Sequence, residues 1–246
     1  MPWPGISTIN MRNILKYIVG AIYKPLLERY LAKTRHYKYK GIHLIIPPGV
    51  FHPAFFFTSK LLFRYISSLP VTGKNFLELG AGSGLISIYA AKKNARVTAT
   101  DINLVAIEYL KKNSLANNVT LQIIHSDLFQ NISRQRFDYI AINPPFYKKD
   151  PVSDRDYAWY CGKNGEYFQD LFRSLANYSN TNSTILMILS DGCDLEMIGR
   201  HADEFRFRMD KVHTKQNLLE KNFIFKIQPG EIDVEINKPD RHLQNG

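Results

Sequence analysis

The chain has 246 residues, 45% of them hydrophobic and 22% charged, which suits a globular protein with one sizeable α/β core. No apolar run approaches the roughly 20 residues that cross a bilayer, and two cysteines without CxxC spacing or a nearby histidine pair argue against a zinc site. The formal charge of +10, from 32 Lys and Arg against 22 Asp and Glu, favours an anionic partner such as nucleic acid without choosing one.

In chain order, residues 1–40 read as a basic helical extension, with apolar residues at helical spacing from Met11 to Leu31 and a break at Pro25. Gly41 precedes a strand at Ile42–Ile46 that Pro47-Pro48-Gly49 ends, and a Phe- and Leu-rich helix is predicted from Pro53 to Leu69. Strands are then predicted at Asn75–Leu79, Arg96–Thr100, Thr120–His125, Phe137–Ile142, Ser183–Leu189, Arg206–Val212 and Phe223–Ile227. Helices fit at Leu85–Lys93, Asn103–Ala116, Gly165–Tyr178 and Leu195–Phe205. Apolar strands alternating with helices imply an α/β, Rossmann-like, mostly parallel sheet covered on both faces. The last two strands are joined too briefly for a crossover, so a C-terminal antiparallel pair completes seven strands. The expected division is an extension over 1–49, a principal domain over 50–228 and a polar tail over 229–246.

Phe76 to Gly84 reads as an apolar strand running into a glycine-rich turn before a helix. Gly80, Gly82 and Gly84 let a ligand approach the backbone, but Leu85 stands where the dinucleotide fingerprint has its last glycine. Glu78 is a poor neighbour for a pyrophosphate and suits the cationic, phosphate-free amino-acid end of S-adenosylmethionine. Asp101 lies 21 residues beyond Gly80, where a carboxylate can accept from both ribose hydroxyls, with Ile102 beside it. NAD enzymes share that feature. Asp127 is placed to accept from an adenine amino group, with Leu128 against the ring.

The fourth strand of the main series delivers Asn143-Pro144-Pro145-Phe146. Two prolines after an apolar strand stop the ladder and fix the backbone. An amide or aromatic amine is a weak nucleophile because its lone pair is delocalised. The Asn143 side-chain oxygen and the Pro144 carbonyl can each accept one N–H of such a group, and Phe146 can lie on its face. Positioning and polarisation then carry the reaction. Asn143 also borders the cofactor half, and Pro145 belongs to the acceptor wall.

Glu78–Gly84, Asp101, Asp127 and Asn143–Phe146 together resemble the motifs of class I S-adenosylmethionine-dependent methyltransferases of the N-P-P-[FY] type. The similarity covers roughly residues 50–228. Ala158-Trp159 followed by Gly162-Lys163-Asn164-Gly165 is similar to a loop of release-factor glutamine N5-methyltransferases, the HemK-like family. The resemblance implies that Gly80 and Asp101 hold the cofactor, Asp127 and Leu128 its adenine, and Asn143, Pro144 and Phe146 the acceptor. Trp159 and Asn164 join the acceptor side on the same basis. It implies an enzyme acting on a protein glutamine, in a release factor or ribosomal protein. Phe146 replaces the tyrosine common in relatives, and His52–Phe57 is aromatic where relatives carry an acidic residue, closer to ribosomal RNA methyltransferases.

A second acceptor class is therefore an RNA base amino group, in rRNA or tRNA. A third reading is a module that keeps the cofactor and has lost catalysis, which an intact Asn143–Phe146 opposes. His36, Tyr37, Lys38, Tyr39 and Lys40 interleave basic and aromatic residues as RNA binders do, and equally describe a half-buried strand. Phe55-Phe56-Phe57 is expected mainly in the core. Two unpaired thiols and no apolar leader pattern give an expected cytoplasmic location, with no metal and no transmembrane segment.

Overall fold

The computed structural model describes residues 24–55, 57–153, 156–217 and 220–230. Helix α1 (Lys24–Leu31) leads into a hairpin of β1 (Arg35–Tyr39) and β2 (Ile42–Ile46), then α2 (Phe57–Ile66). There follow β3 (Asn75–Leu79), α3 (Leu85–Lys92), β4 (Arg96–Asp101), α4 (Leu104–Ala116), β5 (Gln122–His125) and β6 (Tyr139–Ile142). The chain continues through α5 (Glu166–Leu175), β7 (Thr184–Ser190), α6 (Leu195–Glu204), β8 (Phe207–Gln216) and β9 (Lys221–Pro229).

Seven strands form one sheet in the order β5-β4-β3-β6-β7-β9-β8, parallel from β5 to β7, with β9 antiparallel to both its neighbours. This is the Rossmann-like α/β architecture that the strand and helix periodicities predict. β7 shows why both faces are covered. Ile185, Met187 and Leu189 pack with Phe168, Phe172 and Met197 of α5 and α6, whereas Leu186 and Ile188 join Leu62, Ile66 and Ile88 of α2 and α3 on the other face.

The N-terminal segment differs from expectation. The helix ends at Leu31, and Arg35–Tyr39 is a strand, not part of a helical extension. Tyr39 pairs with Ile42, leaving Lys40 and Gly41 as a two-residue turn with φ of 48° and 76°. Positive φ at both positions is the type I′ geometry that matches strand twist. Lysine is an unusual residue there, so the turn carries no clear sequence signal. The part of the expected helical stretch from Met11 to Tyr23 lies outside the described residues. The helix expected from Pro53 begins only at Phe57, because His52–Phe55 forms a turn with the Phe55 N–H on the His52 carbonyl.

The hairpin is fastened by two asparagines one helical turn apart, Asn113 on α4 and Asn117 at its C-cap. Asn117 Oδ1 accepts from His43 N (3.0 Å) and Asn113 Oδ1 from Ile45 N (2.8 Å), while their Nδ2 groups donate to the carbonyls of His43 and Ile45. Residues i and i+4 of a helix lie about 6 Å apart, close to the i, i+2 spacing of a strand. The two amides thus act as a substitute strand for the edge of β2. Asn113 Nδ2 also donates to the Ser83 carbonyl at 2.9 Å, tying the glycine turn to the hairpin.

Candidate active site

The strands that end together create the site. Leu79 is in register with Thr100 of β4 and Ile142 of β6, and Asp101 with His125 of β5. The next residues of each strand therefore emerge into one crevice, where the strand order diverges from β3, the switch point that binds ligands in open α/β sheets. A cavity of about 540 Å³ occupies it, a size that holds a small molecule.

Glu78, Gly80, Gly82, Asp101, Ile102, Asp127, Leu128, Asn143, Pro144, Pro145, Phe146 and Trp159 all line this cavity. Gly84 does not; it starts α3 with φ of 87°, and a Cβ there would lie 2.2 Å from Leu110 Cδ1. Its part is to let the helix begin close against α4. Gly80 has φ of 68° and faces open space. Asn164 is not brought to the cavity. Its Nδ2 donates to Glu166 Oε1 (2.9 Å), and its N–H donates to Oε2 (3.0 Å), so it shapes the turn into α5. Gly162 sits over the same carboxylate, and a Cβ there would meet Glu166 Oε2 at 1.9 Å. The glycine-basic-asparagine-glycine loop is thus packed as a helix start.

The cavity is acidic inside a basic chain. Its ionisable carboxylic lining residues among those described are Glu78, Asp101, Asp127 and Glu220, with no Lys, Arg or His. Asp101 Oδ2 accepts from Gly82 N (2.8 Å) and Oδ1 from Asn103 N (2.9 Å), fixing the carboxylate between two loops. Burial raises its pKa, against the lowering effect of those N–H donors. Such a lining opposes a pyrophosphate and suits a cationic ligand bearing hydroxyl and amino donors.

Glu78 is 7% exposed and its Oε2 accepts from Ser87 N (2.8 Å) and from Ser87 Oγ. Burial nevertheless pushes its pKa to about 8, with Asp101 adding to the rise. Between pH 4.5 and about 8 the folded protein keeps a proton that the unfolded chain releases, so this group's contribution falls as pH rises through that window. It is whole below 4.5 and lost above 8. Glu78→Gln should therefore melt several degrees higher than the wild type above pH 8 and close to it near pH 5. Parallel melting curves at both pH values would contradict the assignment.

At the acceptor end, Asn143 Nδ2 donates to Ser59 Oγ of α2 at 3.3 Å, which turns the amide so that Oδ1 is left for the cavity. Pro144 and Pro145 are buried. The N–H groups of Phe146 and Tyr147 both donate to the Trp159 carbonyl (3.1 and 2.9 Å), and Cys161 N donates to the Tyr147 carbonyl. The motif is thereby clamped to the loop before α5. Phe51 meets Trp159 with ring centroids 5.7 Å apart, and Phe55, Phe57 and Tyr157 complete an aromatic wall. Phe55 and Phe57 were expected mainly in the core; both are half-buried and line the cavity, and Phe57 also packs on the α2–α3 side of the sheet. Phe56 lies outside the described residues.

Several lining residues carried no sequence signal: Ser59, Phe51, Tyr167, and Asn217 and Glu220 from the far end of β8–β9. Ser126 lines the cavity too and also shapes its neighbour. Its buried hydroxyl donates to the Leu128 carbonyl (3.0 Å) and accepts from Asn131 N, holding Leu128 at φ of 45°. A branched side chain in the left-handed region costs about 1–2 kcal/mol, a strain of the kind found at ligand sites.

Comparison with known proteins gives a consistent result. Residues 41–159 match the family model described as methyltransferase small domain. The chain is 36% identical over 157 residues to a Methanocaldococcus jannaschii protein provisionally named protein N5-glutamine methyltransferase, spanning 61% of this chain and 77% of that protein. It is 34% identical over 113 residues to the ribosomal RNA small subunit methyltransferase C of Buchnera aphidicola, covering 45% of this chain but 32% of that one. Among solved structures, the T. thermophilus 16S rRNA N2 methyltransferase in complex with AdoMet and guanosine shares the fold with TM-score 0.59 at 20% identity, over 81% of this chain and 50% of that chain.

Proposed function

Since the chain belongs to the methyltransferase small domain family and is an S-adenosylmethionine-dependent methyltransferase, we propose that it methylates the nitrogen of a planar NH₂ group held by Asn143 and Pro144. The observation that carries this reading is the Asn143–Ser59 hydrogen bond, which leaves Asn143 Oδ1 as an acceptor at the end of the cavity.

The cofactor supplies an electrophilic methyl group carried on a sulfonium. Residues suited to hold it are Gly80 and Gly82 by close backbone approach, Glu78 toward its ammonium, Asp101 and Ile102 at the ribose, and Asp127 with Leu128 at the adenine. Asn143 Oδ1 and the Pro144 carbonyl accept the two N–H groups of the acceptor, which directs the nitrogen lone pair into the cavity and localises it. Phe146 and Trp159 cover the planar faces and exclude water. No side chain has to remove a proton beforehand; as the N–C bond forms the methyl–sulfur bond would break to leave a neutral thioether, and the nitrogen then releases one proton to solvent.

A glutamine carboxamide is the first acceptor in this reading, supported by the M. jannaschii relative and its 77% coverage. A nucleobase amino group is the second, supported by the aromatic wall around the acceptor end and by the rRNA methyltransferase relative. Both place the enzyme with the translation machinery, in the cytoplasm; no helix among the described residues is long and apolar enough to cross a membrane. Cell extract incubated with methyl-labelled cofactor, then split between nuclease and protease, separates the two. Label that resists nuclease and yields to protease supports glutamine; the reverse supports RNA.

Ser59 is a positioning residue in this scheme. Ser59→Ala should lower kcat about fivefold, the worth of one neutral hydrogen bond, with cofactor affinity unchanged and Ser59→Thr restoring most of the rate. A loss confined to KM, or no rescue by threonine, would remove Ser59 from the mechanism.

A further inference from the structure

The net charge is confined to one end of the chain. Residues 1–77 hold eleven Lys and Arg against one acidic residue, Glu28, while residues 78–246 hold twenty-one of each sign. All of the +10 therefore lies before the glycine turn, and from Arg29 to Leu77 there is no carboxylate at all. This segment includes the hairpin, where β1 alternates strictly: Arg35, Tyr37 and Tyr39 turn inward and half-bury, while His36 and Lys38 are exposed, followed by exposed Lys40 in the turn. Lys33, Lys38, Lys40 and Arg64 are exposed and take part in no ion pair among the described residues. Cations without counter-charges repel one another, and an arrangement kept in that state fits a polyanion.

Aromatic rings connect this surface to the catalytic cavity. Arg35 lies 3.7 Å over the Tyr30 ring, which is 40% exposed and contacts Phe55 at 5.3 Å. Tyr37 stacks on Tyr39 and meets His52, and His52 meets Phe55, a cavity residue. Exposed cations on the outward face of β1, together with Arg35 over the partly exposed Tyr30 ring, suit a single-stranded nucleic acid, whose phosphates and bases need both. A bilayer is disfavoured because the outward face of β1 has no apolar residue to insert. The strand β1 also precedes the segment matched by the family model, which begins at residue 41.

We propose that the β1–β2 hairpin, with Lys33 just before it, is an RNA-binding face that brings single-stranded RNA to the rim of the catalytic cavity. It rests on the proposed reading only for the position of the acceptor end. Such a face serves either acceptor, a base of the RNA itself or a glutamine in a protein assembled on RNA. The cavity has no cation among the described residues of its lining, which disfavours phosphates inside it.

The test is fluorescence anisotropy of a labelled 20-nucleotide single-stranded RNA against the full chain across a salt series. Lys38→Glu/Lys40→Glu should weaken binding at least tenfold and reduce the slope of log affinity against log salt by about 1–2, since each phosphate contact on a single strand contributes about 0.7. A milder pair, Lys38→Gln/Lys40→Gln, with an unchanged melting curve separates charge from misfolding and should show the same slope change. Unchanged affinity and slope in both pairs, or equal Lys38- and Lys40-dependent binding of a polyglutamate peptide or anionic vesicles, would overturn the proposal. RNA binding is read without cofactor or methyl transfer, so it holds or fails independently of the methyl-transfer reading, which the position of the transferred label decides.

Discussion

Asn143→Ala should lower kcat by about a hundredfold to a thousandfold, the loss typical of one preorganised hydrogen-bonding group at a reacting centre. The substitution removes Oδ1, one of the two oxygens proposed to hold the acceptor N–H groups, and frees the Ser59 hydroxyl. It removes nothing from the Asp101 or Glu78 end of the cavity. Cofactor affinity, measured by calorimetry, should stay near the wild-type value while kcat and kcat/KM fall together. Asn143→Asp keeps an oxygen in the same place but loses the donor to Ser59, and should fall between the two. A parallel loss of cofactor affinity in Asn143→Ala would show that this side chain serves the cofactor and not the acceptor.

Asp101→Ala should give the complementary pattern. Its carboxylate already accepts from Gly82 and Asn103 backbone N–H groups, so it is preorganised, and each oxygen keeps a lone pair for a hydroxyl donor. Loss of a charge-assisted hydrogen bond costs about 1.5–3 kcal/mol, a weakening of the cofactor Kd by about tenfold to more than a hundredfold. At saturating cofactor the turnover should approach that of the wild type, because nothing at the acceptor end changes. Asp101→Asn retains one acceptor oxygen and should lose less. Unaltered cofactor affinity in Asp101→Ala would mean that the carboxylate is only a clamp between the two loops.

These two residues were legible in the sequence because each sits at the end of an apolar strand, and a parallel sheet brings consecutive strand ends to one line. The same logic finds Gly80, Asp127 and Phe146. β3 and the start of β4 fall where the apolar patterning puts them. Ser59 and Phe51 were not legible, since they reach the cavity through the packing of α2 and the preceding turn on the sheet. Nor were Asn217 and Glu220, which come from the β8–β9 end more than seventy residues beyond Asn143 and join the site only because β9 inserts between β7 and β8. Asn164 does not line the cavity; its motif packs as a helix start, with Gly162 and Glu166 against each other. β1 was obscured by a type I′ turn whose first residue is lysine, and by the alternation of cations and tyrosines that fits either a ligand surface or a strand; in the structure it is a strand with His36 and Lys38 outward.

The most direct test of the central claim is to locate the transferred methyl group. Extract lacking the endogenous activity is incubated with the protein and trideuteromethyl-labelled cofactor, and the modified material is digested to single residues or nucleosides for mass spectrometry. The account predicts the label on the nitrogen of a planar NH₂ group, a glutamine carboxamide or a nucleobase amino group, and its loss with Asn143→Ala. Label on a carboxylate oxygen or a ring carbon, or label that persists in Asn143→Ala, would contradict it.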